Sequence, residues 1–304
     1  MSNPSRTLVV AGLGLMGGSL ARALRDSGFC DRFIGYGPRE PSLQRGVELG
    51  VIDEYTLDLG DALAAADIFV LCGPTLSASE LLREILPQLP AGSDAPVITD
   101  VASVKGSLYR SIIDVSGKVP PTVVLGHPIA GSERSGVDAS SADLYRNHRV
   151  ILTPVAENDE AAIDLVTRMW QSAGSEVVSM SVERHDAVLA ATSHLPHMLA
   201  YSLVDALASD PDSDEIFRCA AGGFRDFTRI ASSDPTMWRD IAIANRDAVL
   251  DAIDEFSKHL SSLRTAVAAE DAGQLHDTFT RAKAARDEFA AILSERGQGQ
   301  KSRD

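Results

Sequence analysis

"LVVAGLGLMGGSLARAL", residues 8–24, decides the fold of this chain. An apolar run ending at Ala11 leads straight into Gly12-x-Gly14-x-x-Gly17, and an Ala- and Leu-rich stretch at helical spacing follows. That order reads as a strand, a tight turn and a helix. The first glycine permits the turn, the second lets the backbone approach a pyrophosphate, and the third lets helix and strand pack closely. The helix then turns its free N–H groups and positive dipole end toward the phosphates. Its place on a first strand, inside a repeating α/β pattern, gives the motif its weight. Gly12, Gly14, Leu15, Met16 and Gly17 are the expected dinucleotide contacts, with Pro74, Asp100 and Ser103 further along the same crevice.

Outward from this motif, strands are expected at 32–36 (RFIGY), 67–72 (DIFVLC), 96–100 (PVITD), 122–126 (TVVLG), 149–153 (RVILT) and 175–180 (SEVVSM). Apolar residues fill these runs rather than alternate, which suits a parallel sheet covered on both faces. Strand–helix repetition then predicts a doubly wound α/β domain over residues 1–180. After "SMSVERHD" the strands stop, and residues 181–304 read as an all-helical domain. Val249, Ile253, Phe256, Leu260, Leu263 and Val267 form one coiled-coil-like seam, and Leu275, Phe279, Ala282, Phe289 and Leu293 a second. A helical hairpin around "AAEDAGQ" follows, with a homodimer as the expected way to bury the seams. The tail from about 295 to 304, "ERGQGQKSRD", lacks core residues and is expected to be disordered.

Composition narrows the partners. A chain of 304 residues is long enough for two cores. Its net charge of −15 opposes nucleic acid or an anionic membrane as partner, although a local basic site still admits an anionic small molecule. Three scattered cysteines offer no disulfide framework and fit a reducing cytoplasm. No apolar run reaches membrane-spanning length.

The acid that usually holds a ribose belongs about twenty residues past the glycines. Gly37 stands there, and Arg39 follows two residues on. A missing carboxylate removes repulsion of a 2′-phosphate and an arginine offers to bind one. The cofactor is NAD or NADP, with a tilt toward NADP; in the opposite reading Arg39 is a solvated loop residue.

Three constellations follow the strands. "DVASVKG" sets Asp100, Ser103 and Lys105 past the fourth, and "LGHPIAGSERSG" sets His127, Ser132 and Glu133 past the fifth. The helical half adds "SHLPH" and "GGFRDFTRIASSDPTMWRDI". Together with "GLGLMGGS", these stretches resemble the prephenate/arogenate dehydrogenase family of tyrosine biosynthesis, in order from residue 7 to roughly 293. The resemblance implies a Rossmann-like domain followed by an all-helical dimerisation domain. It also implies oxidative decarboxylation of prephenate or arogenate, to 4-hydroxyphenylpyruvate or tyrosine, with hydride transfer to NAD(P)+.

By the same resemblance His127 is the catalytic base and Ser103 a serine that orients it and the nicotinamide, while Pro128 and Gly131 fix and clear the turn. A neutral imidazole suits proton acceptance near neutral pH. Arg229 matches a substrate-carboxylate binder, and guanidinium forks suit that task. Glu133 and Asp226 match acids that pair with this arginine; a plain helix-surface pair of Arg229 with Asp226 is the alternative. His197, Ser132 and Ser233 are expected to line the substrate site. His194, His185 and Trp238 are lesser candidates. His194 and His197 lie at i and i+3 around Pro196, a spacing that suggests metal, but no third ligand lies near in sequence and no metal is expected. A kink is expected at Pro196.

Two other classes fit the same plan. A β-hydroxyacid-type dehydrogenase would use a lysine of the helical domain, yet Lys258 and Lys283 lie out in the hairpin. A nucleotide-sensing protein without catalysis would not need Ser103, His127 and Arg229. The side chain of the substrate, the choice between NAD and NADP, and inhibition by tyrosine stay open at this level.

Overall fold

In a computed structural model, residues 6–90, 95–132 and 134–301 are described, with 293–301 as backbone alone. The chain divides into two compact units, Met1–Val249 and Leu250–Asp304.

In the first unit, β1 (Thr7–Ala11), β2 (Arg32–Tyr36), β3 (Glu54–Thr56), β4 (Ile68–Leu71) and β5 (Val97–Asp100) form a parallel sheet in the order β3-β2-β1-β4-β5. Leu8 and Val10 join one core cluster, with Leu20, Leu24 and Phe33, while Val9 and Ala11 join another, with Ile34, Phe69 and Ile98. Both faces of β1 are therefore buried, which is why its sequence is apolar throughout. The crossovers are α1 (Leu15–Asp26), α2 (Glu40–Glu48), α3 (Leu59–Ala65), α4 (Thr75–Ile85) and α5 (Lys105–Ser116). The order reverses between β1 and β4, so a crevice opens at their carboxyl ends. Gly12 lies there with φ +101°, where a Cβ would meet the backbone of Cys72 and Gly73 at 3.0 Å. A Cβ on Gly17 would stand 2.5 Å from the Gly12 carbonyl oxygen, so this glycine sets how closely α1 approaches β1.

Two departures from the sequence reading bear on the site. The strand expected at 122–126 contributes a single parallel bridge, Val123 to Ile98. The chain then crosses to a second sheet of β6 (Gly126–Pro128), β7 (Arg149–Leu152) and β8 (Glu176–Ser179), in which β6 runs antiparallel to β7. Side chains replace the ladder at the crossing. Asp100 accepts from the Gly126 N–H, and Lys105 donates to the Gly126 carbonyl. The other departure is β3, three residues of mixed polarity that carry too little pattern to be foreseen.

Helix α6 (Glu160–Ser172) connects β7 and β8. The helical part then runs α7 (Val182–Leu189), a π turn over Ala190–His194, α8 (Leu195–Ala208), α9 (Ser213–Arg218), α10 (Gly222–Thr228), a 3-10 turn over Arg229–Ser232 and α11 (Pro235–Ala244). Pro196 has no N–H to give residue 192, and the widened turn sits where a kink was expected. Asp234 starts α11 by accepting from the Met237 N–H at 2.9 Å, with Pro235 in the first turn. Trp238, Ile241 and Ala244 of this helix pack with Val104 in a small core of their own.

The last helices are α12 (Arg246–Ala268) and α13 (Ala272–Lys301), joined at Ala269–Asp271. The turn falls where the sequence put it. The seams are buried only in part: Val249 is buried, whereas Leu260, Val267, Phe279 and Phe289 are all more than half exposed. Helix continues into the expected disordered tail as far as Lys301, and 302–304 lie outside the described residues. Among the described residues, no helix is long and apolar enough to cross a membrane.

Candidate active site

The crevice holds two adjoining cavities. One, of about 740 Å3, is walled by Gly12, Tyr36, Gly37, Arg39 and Ser42, with Glu80 and Glu84 on the α4 side. The other, of about 610 Å3, lies between the glycine loop and the helical part. Gly14, Leu15, Met16 and Pro74 form one wall of the second cavity, and Ser103, His127 and Ser132 another. Ser233 and Trp238 face them from the helical part, and Arg39 borders both cavities. Gly14 has no atom within 4 Å of where a Cβ would stand, so the loop is open at the position meant for a pyrophosphate.

His127 is buried on β6. Its Nδ1 lies 2.9 Å from Nε2 of His185 on α7, and Nδ1 of His185 lies 2.8 Å from a carboxylate oxygen of Asp186. That carboxylate also accepts the backbone N–H groups of Lys105 at 2.9 Å and Gly106 at 2.8 Å, in the first turn of α5. Burial pushes the His127 pKa well below its ordinary value, and the neighbouring His185, Lys105 and His194 push the same way. Burial lowers His185 as well. Although burial opposes its charge, Asp186 is held below the ordinary carboxylate value by the His185 ring and the two N–H groups. The site therefore presents two neutral imidazoles backed by one carboxylate.

Asp100 takes a different place from the one expected. It is wholly buried, bonded to the Lys105 ammonium and the N–H groups of Ala102 and Gly126. With its oxygens engaged there it braces the strand that carries His127, and this corrects its reading as a nucleotide contact. Ser103 shares a cavity with His127, but the Nδ1 partner of His127 is His185.

On the helical side, His197 stacks on Trp238 with ring centroids 3.5 Å apart and 19° between planes, and its Nδ1 bonds the Ser193 carbonyl. His194 meets the same indole edge-on at 6.1 Å and accepts from Asn245. Arg229 stands in the 3-10 turn before Ser233, near enough for its charge to lower the His197 pKa beyond the effect of burial. Asp226 is exposed and pairs with Arg225, its neighbour. Glu133 lies outside the described residues. Two site residues escaped the sequence reading. Asp186 follows His185 directly in "VERHD", a His–Asp adjacency that was readable. Arg134 lines the second cavity and adds a cation to it.

The chain is similar to known proteins over nearly its whole length. The profile "Prephenate dehydrogenase, nucleotide-binding domain" matches residues 20–179, and "Prephenate dehydrogenase, dimerization domain" matches 181–281. A cyclohexadienyl dehydrogenase of Zymomonas mobilis is 37% identical over 284 residues, covering 92% of this chain and 94% of that protein. The crystal structure of prephenate dehydrogenase from Aquifex aeolicus in complex with hydroxyphenyl propionate and NAD+ superposes with a TM-score of 0.86 at 39% identity, over 95% of this chain and all of that one. Synechocystis arogenate dehydrogenase superposes with a TM-score of 0.78 at 29% identity, over 93% and 99% of the two chains. A doubly wound nucleotide domain, a helical partner domain and matches over nearly the whole length place this chain in the prephenate dehydrogenase family.

Proposed function

We propose that this chain oxidatively decarboxylates prephenate or arogenate, using His127 as the base and NAD(P)+ as the oxidant. The observation that carries the reading is the neutral, buried His127 on the wall of a cavity that the glycine loop also lines. Bound there, the dinucleotide would supply the hydride acceptor. Gly12, Gly14 and Gly17 with the N-terminus of α1 would hold its phosphates.

The substrate is a cyclohexadienol with a ring carboxylate opposite its hydroxyl. The ring nitrogen of His127 not bonded to His185 takes the hydroxyl proton. The hydride leaves the carbinol carbon, the ring carboxylate leaves as CO2, and the ring becomes aromatic. Ser103 orients the reacting groups. Arg229 holds a substrate carboxylate, with Ser132, Ser233 and His197 lining the remainder and Glu133 and Asp226 closing the arginine side. The lysine-based alternative has little to offer: Lys258 and Lys283 pair with Glu255 and Asp287 on exposed helix faces.

For the nucleotide we propose NADP, read by Arg39, since Gly37 leaves no carboxylate at the ribose position. Exposed seams on α12 and α13 support a homodimer through residues 181–304, with 1–180 as the nucleotide domain. The free cysteines suit a reducing cytoplasm. A kinetic matrix of prephenate and arogenate against NAD+ and NADP+ tests the reading. Turnover of at least one pair at an enzymatic kcat, with NADP+ favoured, is expected, and a matrix with no turnover overturns it.

A further inference from the structure

The tautomer of His127 follows from its neighbours. An ionised carboxylate only accepts, so Nδ1 of His185 must donate to Asp186. A neutral His185 then has only a lone pair at Nε2, and across 2.9 Å Nδ1 of His127 must donate to it. The lone pair of His127 is left at Nε2. Among the described residues nothing else fixes this choice, since a neutral His127 can carry its single proton on either ring nitrogen. We propose that His185 and Asp186 are positioning residues for the reaction: they hold His127 as the Nδ1–H tautomer and stabilise the imidazolium formed when Nε2 takes the substrate proton.

The proposal rests on His127 being the base. As Nε2 gains a proton, the Nδ1–H of His127 becomes a cationic donor, and the hydrogen bond to His185 strengthens. The Asp186 charge lies one ring further on. That carboxylate stays in place because Lys105 and Gly106 tie it to the first turn of α5, and Asn245 donates to the Asp186 carbonyl at 2.9 Å. Around His185 the charged and titratable groups are Asp186 on its own helix, His127 on β6, Lys105 on α5, Asp100 at the end of β5 and His194 in the π turn. The two carboxylates favour positive charge in this cluster and the Lys105 ammonium opposes it.

The wild-type protein gives the first test. Long-range proton–nitrogen spectra of its histidines, with His127 assigned by its loss in His127→Asn, should show a proton on Nδ1 and a lone pair on Nε2 of His127. Kinetics gives the second. In His185→Leu the acceptor is gone, so kcat should fall about 10- to 100-fold with KM within about twofold. The acid limb of its pH profile should move to lower pH, because the imidazolium has lost its partner. His185→Gln offers an amide oxygen at similar reach and should recover most of the loss. A proton on Nε2 of His127, or a His185→Leu enzyme with wild-type kcat and pH profile, overturns the proposal. Near-normal kcat in His127→Asn would instead overturn the base assignment. Should His185→Leu fail to fold, the wild-type spectrum and His185→Gln decide, with a Gln variant impaired as severely as His127→Asn counting against the proposal.

Discussion

Lys105 is a lysine with no exposed surface, and its ammonium contacts the Asp100 carboxylate and the Gly126 carbonyl. Replacing it by methionine keeps most of the stem and deletes the charge. Breaking a buried pair from one side costs about 3–5 kcal/mol, because the remaining charge is buried without compensation. Asp100 retains the N–H groups of Ala102 at 2.9 Å and Gly126 at 3.1 Å, which favours the lower end of that range. Gly126 loses the donor to its carbonyl, adding about 1 kcal/mol. The expected loss for Lys105→Met is about 4 kcal/mol. With a urea slope of about 3 kcal/mol per M, the midpoint falls by roughly 1.3 M at fixed protein concentration. Lys105→Met with Asp100→Asn removes both charges and should regain at least half of the loss. The result that refutes the reasoning is a single variant within about 1 kcal/mol of wild type, or a double variant whose losses simply add.

Other outcomes follow from the same geometry. His127→Asn should lower kcat by about 10² to 10⁴ with nucleotide affinity retained, measured by steady-state kinetics and nucleotide titration. Arg229→Ala should act mainly on KM if it holds the side-chain carboxylate; an added fall in kcat would assign it to the carboxylate that leaves as CO2. Arg39→Ala should raise KM for NADP+ and leave NAD+ nearly unchanged, and equal effects on the two would remove its proposed role. Burial lowers the His194 pKa to about 4, so the folded state resists a proton that the unfolded chain takes near 6.5. The sign is that stability is full above about pH 6.5 and drains as pH falls toward 4, by roughly 3 kcal/mol from this group alone. A melting temperature that does not fall over that interval would contradict it.

Much of this architecture was readable because it follows from period and spacing. The glycine loop, the parallel strands and the change to helix after Met180 each follow from local pattern. The crossing at Gly126 was not readable, since it depends on two buried side chains substituting for ladder hydrogen bonds. The same limit hid the true place of Asp100: a carboxylate at a strand end looks like a ligand contact until its oxygens are seen to be engaged. Four residues carried by separate motifs, Ser103, His127, Ser132 and Ser233, line one cavity. The link from His127 through His185 to Asp186 joins β6 to α7 across more than fifty positions, and a single sequence holds no signal of that pairing.

The π turn at Ala190–His194 also sets the phase of everything after it. Each residue of an α-helix advances the side-chain direction by about 100°, so one extra residue in a turn re-aims all that follows by that angle. His185 meets His127 on β6 and Asp186 meets the first turn of α5, while His194 and His197 meet Trp238, and the extra residue between them sets the angle between the two groups. Deleting a single residue between 190 and 193 should close the wide turn and swing both histidines off the indole. A changed Trp238 emission would report the loss, and unchanged emission would count against this view. Viewed so, the turn is a phase shifter: it lets one run of chain aim one pair of side chains at the base and the next at the opposite wall.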